Sequence, residues 1–277
     1  MKITFFTTCK PFNDSNVVRQ TNTLNNLANI NVDKNVVLFS EESEIQAKEI
    51  CDNNSIDFIT EFRKSQNTNI PYVDDLFSRV QNLYHSDFYC YINCDMILLD
   101  DFVQSLTLIH SEIKARQEGK SIFVCGRRLD TEDFTDTYVD FSSKSSSDIL
   151  EMCPNRSLHS EYGIDYFVFE KGMFLDMPEF LIARTVFDNS IVGHSCINPD
   201  IFEIDITHSA NVIHQDHEYG EMSNESPDVL YGRYADEFSA NKALASNHWP
   251  LFSVNNCRNY LQADQTEEGM QWTLKQR

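Results

Sequence analysis

Apolar runs of strand length alternate with segments of helical spacing over the first half of the chain. Residues 2–8 and 35–40 read as buried strands, and the apolar side chains between them recur every three or four positions. Further elements follow in the same order, with helices at 42–52, 72–85 and 101–117 and strands at 56–59, 88–92 and 121–125. This alternation predicts an α/β fold with a mostly parallel central sheet, flanked by helices and joined by right-handed crossovers.

The second half of the chain has a weaker pattern. Residues 129–160 are polar and rich in serine, which predicts a mobile loop or an irregular excursion. A helix is predicted around Asp188, and strands are predicted at 163–169, 202–206 and 210–213. Beyond residue 222 the pattern indicates helical stretches and no clear strand. We therefore predict one domain at 1–222 and a helical or irregular extension at 223–277.

Composition limits the partners that we expect. The chain has 43 acidic and 22 basic residues, a net charge of -21, which argues against a broad basic surface for nucleic acid or anionic lipid. The first apolar run soon meets Lys10 and Pro11, and no run reaches the roughly 18 apolar residues of a membrane-spanning helix. The eight cysteines are scattered and form no CxxC pair. This favours reduced thiols and a cytoplasmic protein.

Polar side chains follow several of the predicted strands. Because ligands of open parallel sheets bind at the carboxyl ends of the strands, we expect these side chains to converge on one edge. They are Thr7 and Thr8, Glu41, Asn93 and Asp95, Arg127 and Arg128, and His214 and His217.

Asp95 is the strongest candidate for a metal ligand. A carboxylate at the end of an apolar strand needs a cation or hydrogen bonds to offset its desolvation, although Asn93 and Asp95 also suit a simple turn. Mg²⁺ and Mn²⁺ are usually held by one or two carboxylates together with the phosphates of a substrate. A neutral imidazole from His214 or His217 would favour Mn²⁺, while the alternative for each histidine is an ordinary surface or core position.

Each of three other charged residues has both a functional and a structural interpretation. Asp165 lies in an apolar stretch, either as a group that contacts an acceptor hydroxyl or as the partner of a buried arginine such as Arg184. Asp188 is a second candidate acid, or a solvated residue on a helix. Arg79 either reaches a nucleotide or pairs with Asp75 four residues earlier. Guanidinium groups at 127 and 128 suit phosphate binding.

Glycine-rich phosphate-binding loops are missing from the sequence. Neither GxGxxG nor GxxxxGK[ST] occurs, and the chain has only 8 glycines. This weakens an NAD-dependent or P-loop interpretation, and also a sugar-1-phosphate nucleotidyltransferase. The GxSxG elbow of serine hydrolases is absent as well.

Seven short segments, in this order and spacing, resemble the GT-A type nucleotide-diphospho-sugar transferases of plants, bacteria and large viruses. They are FFTTCKPF, VVLFSEE, YINCDMILLDDF, VCGRR, GIDYFVFEKGMF, FDN at 187–189 and VIHQDHEY. The resemblance covers residues 2 to about 222. It implies a GT-A (Rossmann-like) fold and a glycosyltransferase that uses a divalent metal, a UDP- or GDP-sugar donor and a saccharide or other hydroxyl acceptor.

The resemblance also implies roles for individual residues. Asn93-Cys94-Asp95 stands where the family has its DxD motif, with Asp95 on the metal, although Asn93 cannot supply a second anionic ligand. Thr7, Thr8 and Glu41 fall where the base and ribose bind, Arg79 in the helix that meets the nucleotide, and Arg127 near the leaving diphosphate. A late metal-binding histidine corresponds to His214 or His217. If the reaction inverts the anomeric configuration, Asp165 is the first candidate for a general base and Asp188 the second; if it retains the configuration, both acids would bind the acceptor or the sugar.

Two other classes of protein stay open from the sequence alone. The first is a catalytically inactive GT-A-like module that binds a glycan or a partner, in which Asn93 marks a weakened metal site. The second is a metal-dependent hydrolase built from Asp95, His214 and His217. Binding of a nucleotide together with Mn²⁺ separates the transferase from the first, and tight metal binding without nucleotide supports the second.

Overall fold

A computed structural model describes residues 1–13, 16–134, 136–215, 232, 234–266 and 269–277, with only the backbone at 247 and 248. The described helices are α1 Val17–Asn29, α2 Ile45–Asn54, α3 Val73–Leu83, α4 Asp100–Leu108, α5 Ser146–Met152, α6 Phe187–Ile197 and α7 Ala235–His248. The first strands are β1 Lys2–Thr8, β2 Asp33–Phe39, β3 Asp57–Ile59, β4 Phe88–Ile92, β5 Met96–Leu98, β6 Ser121–Cys125 and β7 Leu129–Thr131. They are followed by β8 Ser157–Leu158, β9 Tyr166–Phe169, β10 Ile201–His208, β11 Val212–Gln215, β12 Asn259–Thr266 and β13 Gly269–Gln276.

Nine of the described strands form one central sheet in the order β13-β12-β10-β6-β9-β4-β1-β2-β3. Pairing is parallel between β1, β2, β3 and β4, and also between β6, β10 and β12. Strand β9 lies antiparallel between β4 and β6, and β13 is antiparallel to β12. The mostly parallel α/β sheet predicted from the alternating pattern is therefore confirmed.

Helices cover both faces of the central sheet because successive strand residues point to opposite sides. Phe5 faces a cluster that includes Leu24 of α1 and Phe102 of α4. The next residue, Phe6, faces the opposite cluster, which includes Phe77 of α3 and residues of α6 and α7. Every strand residue from Phe88 to Ile92 is buried, so both layers cover the strand that leads to the site.

A second sheet lies beside the first, in the order β5-β11-β7-β8. Two of its strands come from residues 129–160, where a mobile loop or an irregular excursion was predicted; the segment is irregular over most of its described length but contains regular elements. Strands β7 and β8 and helix α5 are formed, and a small core that includes Phe134, Val139 and Ile149 packs beneath them. The side chain of Asn22 in α1 binds the backbone at Thr137 and Val139. These apolar residues are too widely spaced to produce a periodic signal.

The C-terminal part of the chain completes the central sheet. Strands β12 and β13 pair along their full length, and β12 lies beside β10, so the expectation of no strand after residue 222 is wrong. Alternating polar residues such as Gln262 and Asp264 concealed these strands, because few of their side chains are buried. The proposed domain boundary at 222 falls within 216–231, outside the described residues, and stays a prediction.

Gly193 provides a test of how the C-terminal segment packs on α6. A Cβ atom at this position would lie 1.8 Å from the carbonyl oxygen of Pro250. Gly to Ala within a helix normally stabilises by up to about 1 kcal/mol. We expect Gly193→Ala instead to lower the free energy of unfolding by about 1–3 kcal/mol, as overpacking does, measured by urea denaturation.

Ile197→Ala is the control for this substitution, since Ile197 lies on the same helix and is 55% exposed. It should change the free energy of unfolding by less than about 0.5 kcal/mol. A Gly193→Ala protein as stable as the wild type would mean that α6 and Pro250 do not pack this closely.

Candidate functional site

Charged side chains from three strand ends of the central sheet and from strand β11 of the second sheet meet at one place. Asp95 follows β4, Arg128 follows β6, and His214 lies in β11. Asp165 directly precedes β9, and because β9 runs antiparallel to β4, its first residue lies at the carboxyl end of β4. The structure thus brings together Asp95, Arg128 and His214, three of the residues expected to converge, and adds Asp165 to them.

Asn93 and Asp165 are bound to each other by backbone and side chain. The Asn93 backbone N–H donates to the Asp165 carbonyl at 2.9 Å, and Asn93 Nδ2 donates to Asp165 Oδ1 at 2.6 Å. The hydroxyl of Tyr91 in turn donates to Asn93 Oδ1 at 2.9 Å. Both polar atoms of the Asn93 side chain are therefore engaged, and the residue is held in one orientation.

Arg128 lies between two carboxylates in the interior of the site. Its Nη1 donates to Asp165 Oδ2, and its Nε donates to Asp130 Oδ1 at 2.8 Å. The side chains of Arg128 and Asp165 are only 8% and 11% exposed. Burial lowers the pKa of the guanidinium, but the charges of Asp165 and Asp130 outweigh it and raise the pKa overall. Asp165 does pair with a buried arginine, but the partner is Arg128, since Arg184 pairs with Glu237.

His214 lies between Asp95 and Asp130. Its Nδ1 is 3.1 Å from Asp130 Oδ1, and its Nε2 is 3.7 Å from Asp95 Oδ2, an ion-pair distance longer than a hydrogen bond. Burial lowers the pKa of His214, but the hydrogen bond to Asp130 and the charge of Asp95 raise it to about 9. A metal bound at Nε2 must displace a proton at neutral pH, so metal binding should tighten as the pH rises.

The carboxylates and the imidazole suit a divalent ion. An ion bonded at about 2.1 Å to each ligand atom spans the 3.7 Å gap between Asp95 Oδ2 and His214 Nε2. Within the part of the chain that the structure describes, no group of three or more His, Cys, Asp or Glu side chains forms a closed metal site. Two protein ligands plus substrate oxygens is the arrangement in which Mg²⁺ and Mn²⁺ are commonly held. His217, the other predicted ligand, lies outside the described residues.

Asp188 is the second acid of the site, in the first turn of α6. Burial raises the pKa of its carboxyl to about 7, with a further contribution from the charge of Asp165, while backbone hydrogen bonds oppose the shift. A carboxyl with this pKa exchanges its proton near neutral pH. This is the property required of a general acid or base.

An unusual loop leads into α6. Ala183, Thr185 and Val186 all have positive φ, of 57°, 22° and 66°, which costs energy for residues other than glycine. The buried side chain of Asn241 in α7 binds this loop: its Oδ1 accepts from the Leu181 N–H at 3.0 Å, and its Nδ2 donates to the carbonyls of Leu181 and Arg184. The C-terminal helix therefore fixes the backbone just before Asp188.

The predicted donor-side residues lie at the ends of β1 and β2. Thr7 is buried and Thr8 half-buried at the end of β1. Glu41 follows β2 and accepts a hydrogen bond from Lys64 Nζ at 2.6 Å. A nucleotide that binds to the Glu41 carboxylate would therefore also lie next to Lys64. The roles of Thr7, Thr8 and Glu41 in binding the base or ribose stay predictions.

Two predicted arginines have partners of their own. Arg79 Nε donates to Asp75 at 2.7 Å within α3, the structural alternative that the spacing suggested. Arg127 Nε donates to the His159 carbonyl at 2.7 Å, so this guanidinium is directed to the backbone near β8 while Arg128 occupies the acidic cluster. Donor binding by Arg79 and by Arg127 stays a prediction.

Sequence reasoning did not identify Asp130 and His159. Asp130 Oδ2 accepts from His159 Nδ1 at 2.6 Å, and its Oδ1 faces both Arg128 and His214. Both residues lie in the segment 129–160 that was predicted as a loop. The alternation of Leu129-Asp130-Thr131 is the only local signal of a strand, and three residues are too few to interpret. The proximity of Asp130 to His214 depends on a sheet pairing that the sequence does not reveal.

No protein-family model matches the chain, and no curated protein matches it. Solved structures do resemble it. Residues 1–349 of TarS from S. aureus, in complex with UDP-GlcNAc, have 12% sequence identity and a TM-score of 0.54, with 92% of this chain and 69% of that chain covered. Mannosyl-3-phosphoglycerate synthase from Rubrobacter xylanophilus has 12% identity and a TM-score of 0.48, with 100% and 85% covered.

Glucosyl-3-phosphoglycerate synthase from Mycobacterium tuberculosis, in complex with Mn²⁺, UDP and glucosyl-3-phosphoglycerate, has 8% identity and a TM-score of 0.43, with 100% of this chain and 87% of that chain covered. At these identities the likeness concerns the fold. The TarS match, together with the central sheet described above, shows that this chain has the mixed α/β fold of GT-A type nucleotide-sugar glycosyltransferases.

Proposed function

We propose that this chain is a metal-dependent glycosyltransferase, which moves a sugar from a nucleotide-diphosphate-sugar to a hydroxyl of a saccharide or similar acceptor. One observation carries the proposal. Within a GT-A fold, Asp95 and His214 face each other across 3.7 Å at the carboxyl ends of the strands, and Asp188, with its pKa near 7, lies beside the same cluster. Ligands of such sheets bind at this edge.

The donor side of the reaction follows from Asp95 and His214. A divalent ion held by these two side chains would neutralise the charge that develops on the leaving nucleoside diphosphate. Asn93, held by Tyr91 and Asp165, presents a fixed amide next to Asp95 and is suited to orient the ribose or the sugar. Arg127 has further N–H groups besides those bound to His159 and is suited to contact the diphosphate. UDP- and GDP-sugars are the donors that we expect.

The acceptor side depends on which acid takes the proton. The sequence favoured Asp165, but both of its carboxylate oxygens already accept hydrogen bonds, from Asn93 and from Arg128. Both oxygens are therefore already engaged by neighbouring side chains, and the Asp165 side chain is only 11% exposed. We therefore assign the general base to Asp188, whose raised pKa matches proton transfer near neutral pH. Asp165 then orients Asn93 and Arg128.

A thermal-shift screen tests the proposed function. Purified protein is melted with UDP, GDP, dTDP and CMP and with their sugars, each with and without Mn²⁺. Because a ligand that binds only the folded state stabilises it, we expect one nucleotide class to raise the Tm by about 5 °C or more at a hundredfold excess over its Kd. The shift should require Mn²⁺.

Two other outcomes would assign a different function. No shift with any nucleotide, from a well-folded sample, would favour the inactive glycan- or partner-binding module. Tight Mn²⁺ binding that is indifferent to nucleotide would favour the metal-dependent hydrolase.

The cellular location is inferred from the cysteines. All eight are free thiols, and most are buried. We propose a reducing compartment, the cytoplasm, for this protein, since buried unpaired thiols suit such a setting. Among the helices that the structure describes, none is both long and apolar enough to cross a bilayer.

A further inference from the structure

Asp130 is an acid of the site that has no role in the proposed reaction. It accepts hydrogen bonds from three different side chains: Arg128 Nε at 2.8 Å, His214 Nδ1 at 3.1 Å and His159 Nδ1 at 2.6 Å. Its own side chain is only 18% exposed. A partly buried carboxylate with three donors is held rigidly and holds its partners rigidly in return.

The contact with His214 determines which ring nitrogen faces Asp95. An ionised carboxylate has only acceptor atoms, so the Nδ1 of His214 must carry the proton that it donates to Asp130. In a neutral His214 the lone pair is then on Nε2, the atom that lies 3.7 Å from Asp95 Oδ2. A neutral imidazole needs this tautomer to bind a metal through Nε2.

The contact between Asp130 and His214 follows from the register of the second sheet. Asp130 of β7 and His214 of β11 are direct neighbours in the parallel pairing of these strands. The partner of His214 on the other side is Met96 of β5, which follows Asp95 immediately. One small sheet thus carries Asp130, His214 and the residue next to Asp95 in adjacent strands.

A purely structural role for Asp130 would be to neutralise Arg128. Arg128 already has a carboxylate partner in Asp165, which is nearly as buried as Arg128 itself. The second acid is therefore not needed to balance that charge. Among the described residues, Asp130 is the one that binds Arg128, His159 and His214 at the same time.

We propose that Asp130 is a positioning residue for the metal site: it holds His214 with Nε2 directed toward Asp95, ready to bind a divalent ion together with the donor diphosphate. This inference rests on the proposed function. It concerns a residue that is not one of the proposed metal ligands.

Isothermal titration of UDP and of GDP, each with Mn²⁺ and with EDTA, tests the role of Asp130. The quantity to compare is the Kd with EDTA divided by the Kd with Mn²⁺. This ratio is large when the metal assists nucleotide binding. We expect Asp130→Ala to reduce this ratio by about 10–100-fold, the usual effect of removing the residue that orients a metal ligand. Asp130→Asn should restore part of it, because the amide oxygen still accepts from His214 Nδ1.

Asp133→Ala is the matched control. Asp133 is an exposed acid three positions along the same segment, and its described hydrogen bonds are with Thr131. It should leave the ratio unchanged, since it removes the same charge without touching His214. The Tm of each variant shows whether it is folded, and if Asp130→Ala does not fold, the comparison of Asp130→Asn with Asp133→Asn decides.

The outcomes separate this inference from the proposed function. A ratio that is large in the wild type and equally large in folded Asp130 variants would overturn the positioning role while the transferase proposal stands. A wild-type protein that binds neither nucleotide better with Mn²⁺ than with EDTA would overturn both.

Discussion

Replacing Asp188 by Asn should lower the rate of sugar transfer by about 10²–10⁴-fold, the usual contribution of a general base. The amide keeps the size of the side chain but cannot accept the acceptor's proton. The measurement is kcat with the donor identified by the thermal-shift screen. An exposed acid before α6, Asp176, provides the control, and Asp176→Asn should keep wild-type activity.

The pH dependence of the wild type should follow from the same carboxyl. Burial raises the pKa of Asp188 to about 7, and the base acts only when ionised, so the rate should fall as the pH drops below about 7. The slow residual transfer of Asp188→Asn should lack this limb. A variant with wild-type kcat, or a wild-type profile that stays flat from pH 5 to 8, would contradict the assignment of the base.

The stability of Asp188→Asn should change in the opposite direction to its activity. The folded-state pKa lies above the unfolded value of 3.8, so the carboxyl favours folding least when it is ionised. Its cost to stability grows between about pH 4 and pH 7 and is greatest above that range. Asp188→Asn should therefore melt at a higher temperature than the wild type, with a larger difference at pH 8 than at pH 5. Gains in stability at the expense of activity are typical of catalytic positions.

Asp95→Ala should abolish both sugar transfer and the effect of Mn²⁺ on donor binding. Among the described contacts of His214 Nε2, Asp95 supplies the one carboxylate. Without Asp95, the imidazole is the one proposed metal ligand left among the described residues. The loss of charge stabilisation at the leaving group should reduce kcat/KM by at least about 10³-fold. Steady-state kinetics with saturating Mn²⁺ measure the effect.

Asp52→Ala is the control for this substitution, because Asp52 forms a surface pair with Lys48 far along the chain from the site. It should transfer sugar at the wild-type rate. Transfer by a folded Asp95→Ala protein at the wild-type rate would refute the metal role of Asp95, whatever the nucleotide.

The sequence predicted the central fold well where strands are buried on both faces. Strand β4 is apolar from Phe88 to Ile92 because helices cover both of its sides, and such a run is visible without any structure. The sequence did not reveal β12, the strand next to the edge strand β13, because its exposed Asp264 and Gln265 resemble a polar tail. Strands near the edge of a sheet carry little apolar signal when little of their surface is buried.

The candidate site was predictable only in part for a similar reason. Strand ends identified Asp95 and His214, since the topology of parallel sheets directs ligands to one edge. Asp165 was identified as a carboxylate within an apolar stretch. The choice between Asp165 and Asp188 as the base was not predictable, because it depends on Arg128 pairing with Asp165 across 37 positions. Asp130 was missed because its role comes from its register with His214, 84 positions later, and not from its neighbours in sequence.

In the proposed mechanism, a divalent ion at Asp95 and His214 joins the protein to a nucleoside diphosphate. Isothermal titration of wild-type protein with the nucleotide identified by the thermal-shift screen, first with EDTA and then with Mn²⁺, measures this link. We expect weak or no binding with EDTA and clear one-site binding with Mn²⁺, which Asp95→Ala removes. Equal affinity with EDTA and with Mn²⁺, or full metal-dependent binding by Asp95→Ala, would contradict it.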